Sequence, residues 1–268
     1  MDEPRAPVVA NPWQQLRQFT PARIALGRAG ISLPTRPNLE FQFAHARARD
    51  AVHHPLAIEP LQAELANRRL EALVLHSAAA DRTTYLQRPD LGRRLATDSR
   101  CRLEALASKS PHGFDVAFVI ADGLSAFAIE ENAISFLDEM LAKLKADNWR
   151  VAPIAIVEQG RVAIGDEVGL VLKAEMVAIL IGERPGLSSP DSMGIYLTFE
   201  PRVGRTDAER NCISNVRREG ISHELAAHKL HYLMTEARRR RITGVSLKDE
   251  SESPRALPAG NNFLISST

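Results

Sequence analysis

Cysteine is scarce in this sequence: Cys101 and Cys212 are the two present, and neither sits in a CxxC or CxxxC pair. That argues against a disulfide framework and a structural zinc site and fits a reducing compartment. Charge of either sign is nearly absent as an excess, since 34 basic and 33 acidic side chains leave a net +1. A dedicated nucleic-acid binder carries a strong basic surplus instead. No apolar run approaches the ~18 residues of a membrane-spanning helix. The opening MDEPRAPVVANPW lacks the apolar core of a signal peptide, so the chain is expected in the cytoplasm. Neither GxGxxG nor GxxxxGK[ST] occurs, which leaves NAD and ATP readings without their phosphate-binding parts. No Ser-His-Asp set and no pair of carboxylates stands out.

What is present is an ordinary globular composition, 44% hydrophobic and 25% charged over 268 residues. A chain of this length buries roughly 70–75% of its unfolded surface without staples, in one or two domains. The Arg-rich first third reads as helices over 11–30 (Asn11 as N-cap, Pro12 at the first position), 36–55, 58–77 and 88–108, with Asp90 as a cap. The third of these turns β-branched and apolar near its end. From 115 the pattern changes to strand 115–125, helix 127–149, strand and turn 150–165, short helix 166–176, strands 177–182 and 193–201, and a helix over 222–241 capped by Ser222. Alternating strands and helices predict an α/β fold. Residues 1–110 form a helical N-terminal domain, 111–244 a Rossmann-like domain with a mostly parallel sheet, and 245–268 a polar, Pro/Gly-rich tail.

In open α/β sheets, ligands bind beyond the carboxyl ends of the strands. Three predicted strand ends are loaded: ADGLS (121–125), EQGRV (158–162) and GERPG (182–186). Gly123, Gly160, Gly182 and Gly186 allow positive φ or close approach of a ligand, while Asp122, Glu183 and Arg184 supply polar handles. Each turn alone is ordinary turn chemistry; three on one sheet edge point to a site. Other candidates carry less. His228 and His231 lie three apart with no third ligand in reach. Arg238–Arg241 fit a helix end favoured by the dipole. Cys101 reads as a core thiol, and Cys212 in ERNCISN has arginines nearby but no base. Residue by residue, the chain shows a binding site without visible catalytic machinery.

Taken together and in order, YLQRPDLGRRL (85–95), DGLS (122–125), GRV (160–162), IGERPGL (181–187) and CISN (212–215) resemble the small (light) chain of ethanolamine ammonia-lyase. ARIALGRAG (22–30) is similar to that family's N-terminal segment, and the resemblance spans residues 10–244. It implies an adenosylcobalamin-dependent lyase that converts ethanolamine to acetaldehyde and ammonia. In that family the large subunit, a TIM barrel, holds substrate and most catalytic groups, and the small chain covers the cofactor between the two. The matched cofactor contacts are Val162, Glu183 and Cys212; Asp122 and Arg184 are added by position alone. No catalytic residue is expected in this chain. No histidine follows an aspartate by two places as DxHxxG requires, which agrees with a base-on cofactor and no metal ligand from the protein. A bacterial microcompartment is a further location the resemblance allows. SAFAI (125–129) stands where a more polar segment is expected, the N-terminus is short and the tail long for the family. Two rival readings remain at this point: a stand-alone Rossmann-type ligand-binding module, and a self-sufficient α/β enzyme using Cys212 or Asp122. The family reading also predicts an exposed apolar patch that needs a partner.

Overall fold

The computed structural model describes residues 8–20 and 22–251, so the predictions for 1–7 and 252–268 fall outside the described residues. Six strands form one sheet: β1 (Ala72–His76), β2 (Phe114–Ala121), β3 (Ile154–Glu158), β4 (Ala174–Gly182), β5 (Met193–Phe199) and β6 (Asn211–Val216), in the order β1-β3-β2-β4-β5-β6. The first four are mutually parallel. β5 runs antiparallel to β4, and β6 antiparallel to β5. The α/β expectation is met, with a helical N-terminal region ahead of a mixed, mostly parallel sheet.

The centre of the sheet follows from its sequence. FDVAFVIA in β2 is apolar on both faces, as a strand covered on both sides must be. Its alternate side chains divide between two cores. Val116, Phe118 and Ile120 pack on one face with Phe136, Leu137 and Met140 of α5 (Ala126–Ala146), Leu65 of α2 (Ile58–Asn67) and Leu230 and Met234 of α7 (His223–Arg240). Ala117, Val119 and Ala121 pack on the other with Leu103 of α4 (Thr97–Ala107) and Ile164 and Val168 of α6 (Ile164–Val171). Ser125 caps α5 by accepting from the Ala128 N–H at 3.3 Å, and Ser222 caps α7 from the Leu225 N–H at 3.3 Å. No helix among the described residues is long and apolar enough to cross a membrane.

The N-terminal third departs from expectation in its details. Asn11 does accept from the Trp13 N–H, but the helix that follows is a 3-10 segment, Pro12–Gln18. Beyond it Ala25, Gly27 and Gly30 all take positive φ, which no right-handed helix passes through. The expected 36–55 helix is α1 (Thr35–His53). The expected 58–77 helix stops at Asn67, turns through Arg69 at φ 59°, and continues as β1 paired with β3. Its apolar, β-branched end is therefore a sheet edge, recruited from within the first 110 residues. Asp90 heads only the 3-10 turn Leu91–Arg93 with no capping bond, its carboxylate being held by Arg88 at 2.8 Å. Between β1 and that turn lies the short helix α3 (Arg82–Gln87). β6 is half polar and carries no strand pattern in the sequence. At the chain's other end, residues 245–251 fold back: Leu247 is buried, and Asp249 pairs with Lys229 at 2.5 Å.

Candidate functional site

Because β1 to β4 are parallel, their carboxyl ends share one edge, and a cavity of about 400 Å³ opens there. Its wall brings together Gly123 and Leu124 after β2, Arg161 and Val162 after β3, and Gly182, Glu183 and Arg184 at the end of β4. Tyr85 of α3 and Tyr196 of β5 close the sides. The three loaded turns thus converge, as their sequence suggested.

Glu183 continues the ladder past β4, its N–H donating to Ser192 O at 2.9 Å. Its Oε2 accepts from the Ser192 hydroxyl at 2.5 Å and from the Asn215 N–H at 3.4 Å. Among the described residues no donor reaches Oε1, so one oxygen is fixed and the other is left as an acceptor. Val162 is half-buried beside it in the wall, and Arg184 is exposed without an ion-pair partner among the described residues. Cys212 lies outside the wall but pairs across the strands with Tyr196, which lines it. The residue is exposed, yet packing around its thiol and the nearby Glu183 carboxylate push its pKa up, outweighing the Tyr196 hydrogen bond. Both effects favour the thiol over the thiolate, which weakens the case for a Cys212 nucleophile.

Asp122 is not a handle facing the cavity. It is 3% exposed. Its Oδ1 accepts from the Gly160 N–H at 3.0 Å and its Oδ2 lies 3.3 Å from the Arg82 guanidinium. Burial pushes it up to about 6 against the opposing pull of Arg82 and the surrounding backbone N–H groups. Arg82 also donates to Gly123 O at 2.8 Å, Gln159 Oε1 at 3.2 Å and Val52 O at 2.6 Å. Asp122 and Arg82 therefore tie the turns after β2 and β3 to each other. The guanidiniums of Arg82 and Arg161 both lie over the Tyr85 ring, 4.7 Å and 4.2 Å from its centroid. Arg82 escaped sequence reasoning; Tyr85 opens one of the recognisable motifs, which was its only local signal.

Of the glycines, Gly123 takes the expected positive φ, and the close approaches at Gly123, Gly160 and Gly182 are made by the chain itself. A Cβ on Gly182 would lie 2.0 Å from Ser125 O, and one on Gly123, at φ +58°, would lie 2.2 Å from Gly182 O. At Gly160 it would meet Ala121 Cβ at 2.9 Å. They let the strand-end turns pack on each other and on the sheet.

The secondary candidates dissolve into structure. His231 bonds Asp147 at 2.6 Å. Arg238 pairs with Glu175 and Asp115 and stacks on Trp149, Arg239 and Arg240 share Glu236, and Arg241 meets Glu200. Cys101 is exposed on α4, not a core thiol, because that position of the helix faces away from the sheet. No cluster of His, Cys, Asp and Glu among the described residues is arranged to hold a metal ion.

The cavity wall holds one carboxylate, two guanidiniums and two phenols, with no histidine, serine or cysteine. At about 400 Å³ it is at the small end of the ~300–1,000 Å³ typical of ligand pockets. Fold and site together define a doubly wound α/β chain that offers a polar-rimmed hollow at its sheet edge rather than an assembled set of reacting groups. Comparison with known proteins sharpens this class. The family model for the ethanolamine ammonia-lyase light chain (EutC) matches residues 10–248. The ethanolamine ammonia-lyase small subunit of Azotobacter vinelandii (strain DJ / ATCC BAA-1303) is 61% identical over 264 residues, covering 97% of this chain and 98% of that protein. The proteins of the same name from Ralstonia nicotianae (strain ATCC BAA-1114 / GMI1000) and Pseudomonas fluorescens (strain Pf0-1) are 58% and 57% identical, with 98% and 95% of this chain and 98% and 95% of theirs aligned. The chain belongs to the ethanolamine ammonia-lyase light-chain family.

Proposed function

We propose that this chain is the small subunit of an adenosylcobalamin-dependent ethanolamine ammonia-lyase, active only with a large subunit that carries the substrate and the catalytic groups. The observation that carries this reading is the convergence of Val162 and Glu183 in one strand-end cavity that contains no nucleophile or histidine of its own. Cys212 is the cross-strand partner of Tyr196, which lines that cavity.

The residues present fit a corrinoid. Leu124, Val162 and Ile181 give apolar surface for the edge of a macrocycle. Glu183 Oε1 is a spare acceptor for the amide groups that fringe a corrin, and Ser192 and Asn215 hold the carboxylate in place through Oε2. The residues that would hold the cofactor at this wall are Val162, by packing, and Glu183, by hydrogen bonding. When bound, the cofactor supplies the radical chemistry that turns ethanolamine into acetaldehyde and ammonia. This chain's part is to bind, to orient and to exclude water. A hollow this size covers only part of a corrinoid, so a second surface must cover the rest. Exposed apolar side chains near the N-terminus, including Trp13, Ile31 and Phe43, supply a place for that partner to dock. Two free cysteines suit an assembly working in the cytoplasm; packaging in a microcompartment is compatible with this reading.

The test is co-expression with the large subunit from the same genome, followed by acetaldehyde formation from ethanolamine and adenosylcobalamin. Turnover is expected from the pair and from neither chain alone. Glu183→Gln, which removes the charge but keeps the shape, is expected to weaken cofactor binding by about tenfold, the equivalent of one charged hydrogen bond. Turnover by this chain alone would overturn the reading, and an inactive pair with a ligand-binding monomer would favour the stand-alone module.

A further inference from the structure

Helix α1 (Thr35–His53) lies on the body of the protein with only Ala44 and Ala51 buried. Two alanine side chains give it little to interlock with. A hollow of about 250 Å³ lies between its C-terminal half, at Arg47 and Asp50, and Phe127 and Pro190. Leu39 and Phe43, four residues apart and so one above the other, form an exposed apolar stripe on the same helix. Glu130 and Arg82 hold its C-terminal end. The Glu130 carboxylate accepts from the Ala57 N–H at 2.9 Å and pairs with His54 at 3.0 Å, and it is no part of the strand-end cavity. Val52 O, among the carbonyls that a helix end leaves unused, accepts from Arg82 Nε at 2.6 Å.

The same guanidinium reaches the cavity. Its Nη1 donates to Gly123 O at 2.8 Å and to Gln159 Oε1 at 3.2 Å, and stands 3.3 Å from Asp122 Oδ2. Its plane lies over Tyr85. Gly123 and Tyr85 belong to the cavity wall, and Gln159 opens the turn that delivers Arg161 and Val162 to it. Gln159 takes φ 55°, a conformation that residues with a Cβ adopt at a cost. That turn therefore keeps its shape through its bonds, and Arg82 supplies the one to the Gln159 side chain. Arg82 itself is not in the wall. A guanidinium is planar with its donors at fixed angles. Displacing Val52 O tilts that plane and moves Nη1 against Gly123 O and Gln159 Oε1. A lysine ammonium on a flexible stem transmits no such tilt.

We propose that Arg82 is a positioning residue that couples the seating of a partner on the Leu39–Phe43 stripe of α1 to the shape of the strand-end cavity, while touching neither partner nor ligand. This rests on the reading above, in which the partner is the large subunit and the cavity takes part of a corrinoid. Pressing on α1 moves its last turn, Arg82 carries that movement to the turns after β2 and β3, and the wall closes on its ligand. By reciprocity, a filled cavity holds α1 in the position the partner prefers.

The experiment is a double-mutant cycle on the two-chain complex. Adenosylcobalamin affinity is measured by absorbance at equilibrium, without substrate, for wild type, L39A/F43A, R82K and the triple variant. The large subunit is held at about a hundred times its own Kd for each, so that every complex is assembled. Alanine keeps α1 helical, and lysine keeps a positive charge facing buried Asp122. L39A/F43A is expected to weaken cofactor binding about fivefold in the wild-type background. In the R82K background the same change is expected to stay within about twofold. Q159M, which cuts the link at its cavity end and leaves Arg82 and Asp122 in place, is expected to lower the fivefold response to about twofold. It also decides the matter should R82K not fold. An undiminished response in R82K and Q159M would overturn the proposal, since the effects then add and Arg82 is merely structural. So would an L39A/F43A variant that weakens subunit association but leaves cofactor affinity unchanged. Loss of neither association nor affinity would refute docking on α1, and a wild-type complex that binds no adenosylcobalamin would refute the cobalamin reading; each takes the proposal with it.

Discussion

Asp122 shows how one side chain can be decisive from beneath the cavity rather than in its wall. Its carboxylate is withdrawn beneath the cavity and holds the Gly160 N–H and Arg82, while burial raises its pKa from 3.8 to about 6. The folded chain then keeps a proton that the unfolded chain has already released. This contribution to stability is whole below about pH 4 and is lost as the pH rises through about 6. Asp122→Asn keeps an acceptor for Gly160 but cannot ionise. Its urea midpoint is expected to fall less than that of wild type between about pH 4.5 and pH 7; parallel profiles would show that Asp122 is already ionised at the lower pH. Glu183 makes the contrasting case, since Ser192 and the Asn215 N–H use only one of its oxygens. Its residue type and place at a strand end were legible in the sequence. Which oxygen stays free was not, because Asn215 arrives from β6, a strand the sequence did not reveal.

At the scale of elements, the strand-end turns are locked by contact between main chains. Gly182 leaves room for Ser125 O and Asp122 O, whereas Gly186, four residues on, faces only the mobile hydroxyl end of Ser189. Gly182→Ala is expected to cost about 1–3 kcal/mol or more of unfolding free energy, since backbone must shift. Gly186→Ala is expected to stay within about 0.5 kcal/mol. Denaturant midpoints of the two variants check this directly, and similar losses in both would refute the packing account. The sequence presented these glycines as equivalent. Their difference lies in what another segment places opposite each one.

For the whole molecule, the exposed apolar side chains fall mostly in the first 43 residues, with Ile31 107%, Phe43 67% and Trp13 66% exposed. The 3-10 segment Pro12–Gln18 buries no residue at all. Side chains this exposed contribute little to the fold of the isolated chain, and they are apolar surface available to a partner. Ile31→Ser with Phe43→Ser is expected to leave the unfolding free energy of this chain within about 0.5 kcal/mol. The same pair of changes should weaken its association with the large subunit at least tenfold, measured by sedimentation or calorimetric titration. Unchanged association would move the docking surface elsewhere on the chain.

Features with local causes were legible in the chain alone. Continuous apolar runs announced β2 and β4, the three- and four-residue spacing of Phe136, Leu137, Met140 and Leu144 announced α5, and Ser222 announced the start of α7. Glycine and charged residues following three strands announced the edge that carries the site. Only the tertiary structure decided which segments pair and which charges are left over. β1 became a strand because β3 offered it an edge to pair with, and β6 because β5 did. Asp122 was withdrawn from the cavity by Arg82 and Gly160, and among the described residues Arg93 and Arg94 meet no carboxylate, those nearby being taken by other arginines. Periodicity and caps act over a few residues, whereas strand pairing, burial and charge compensation depend on neighbours that the fold alone brings together.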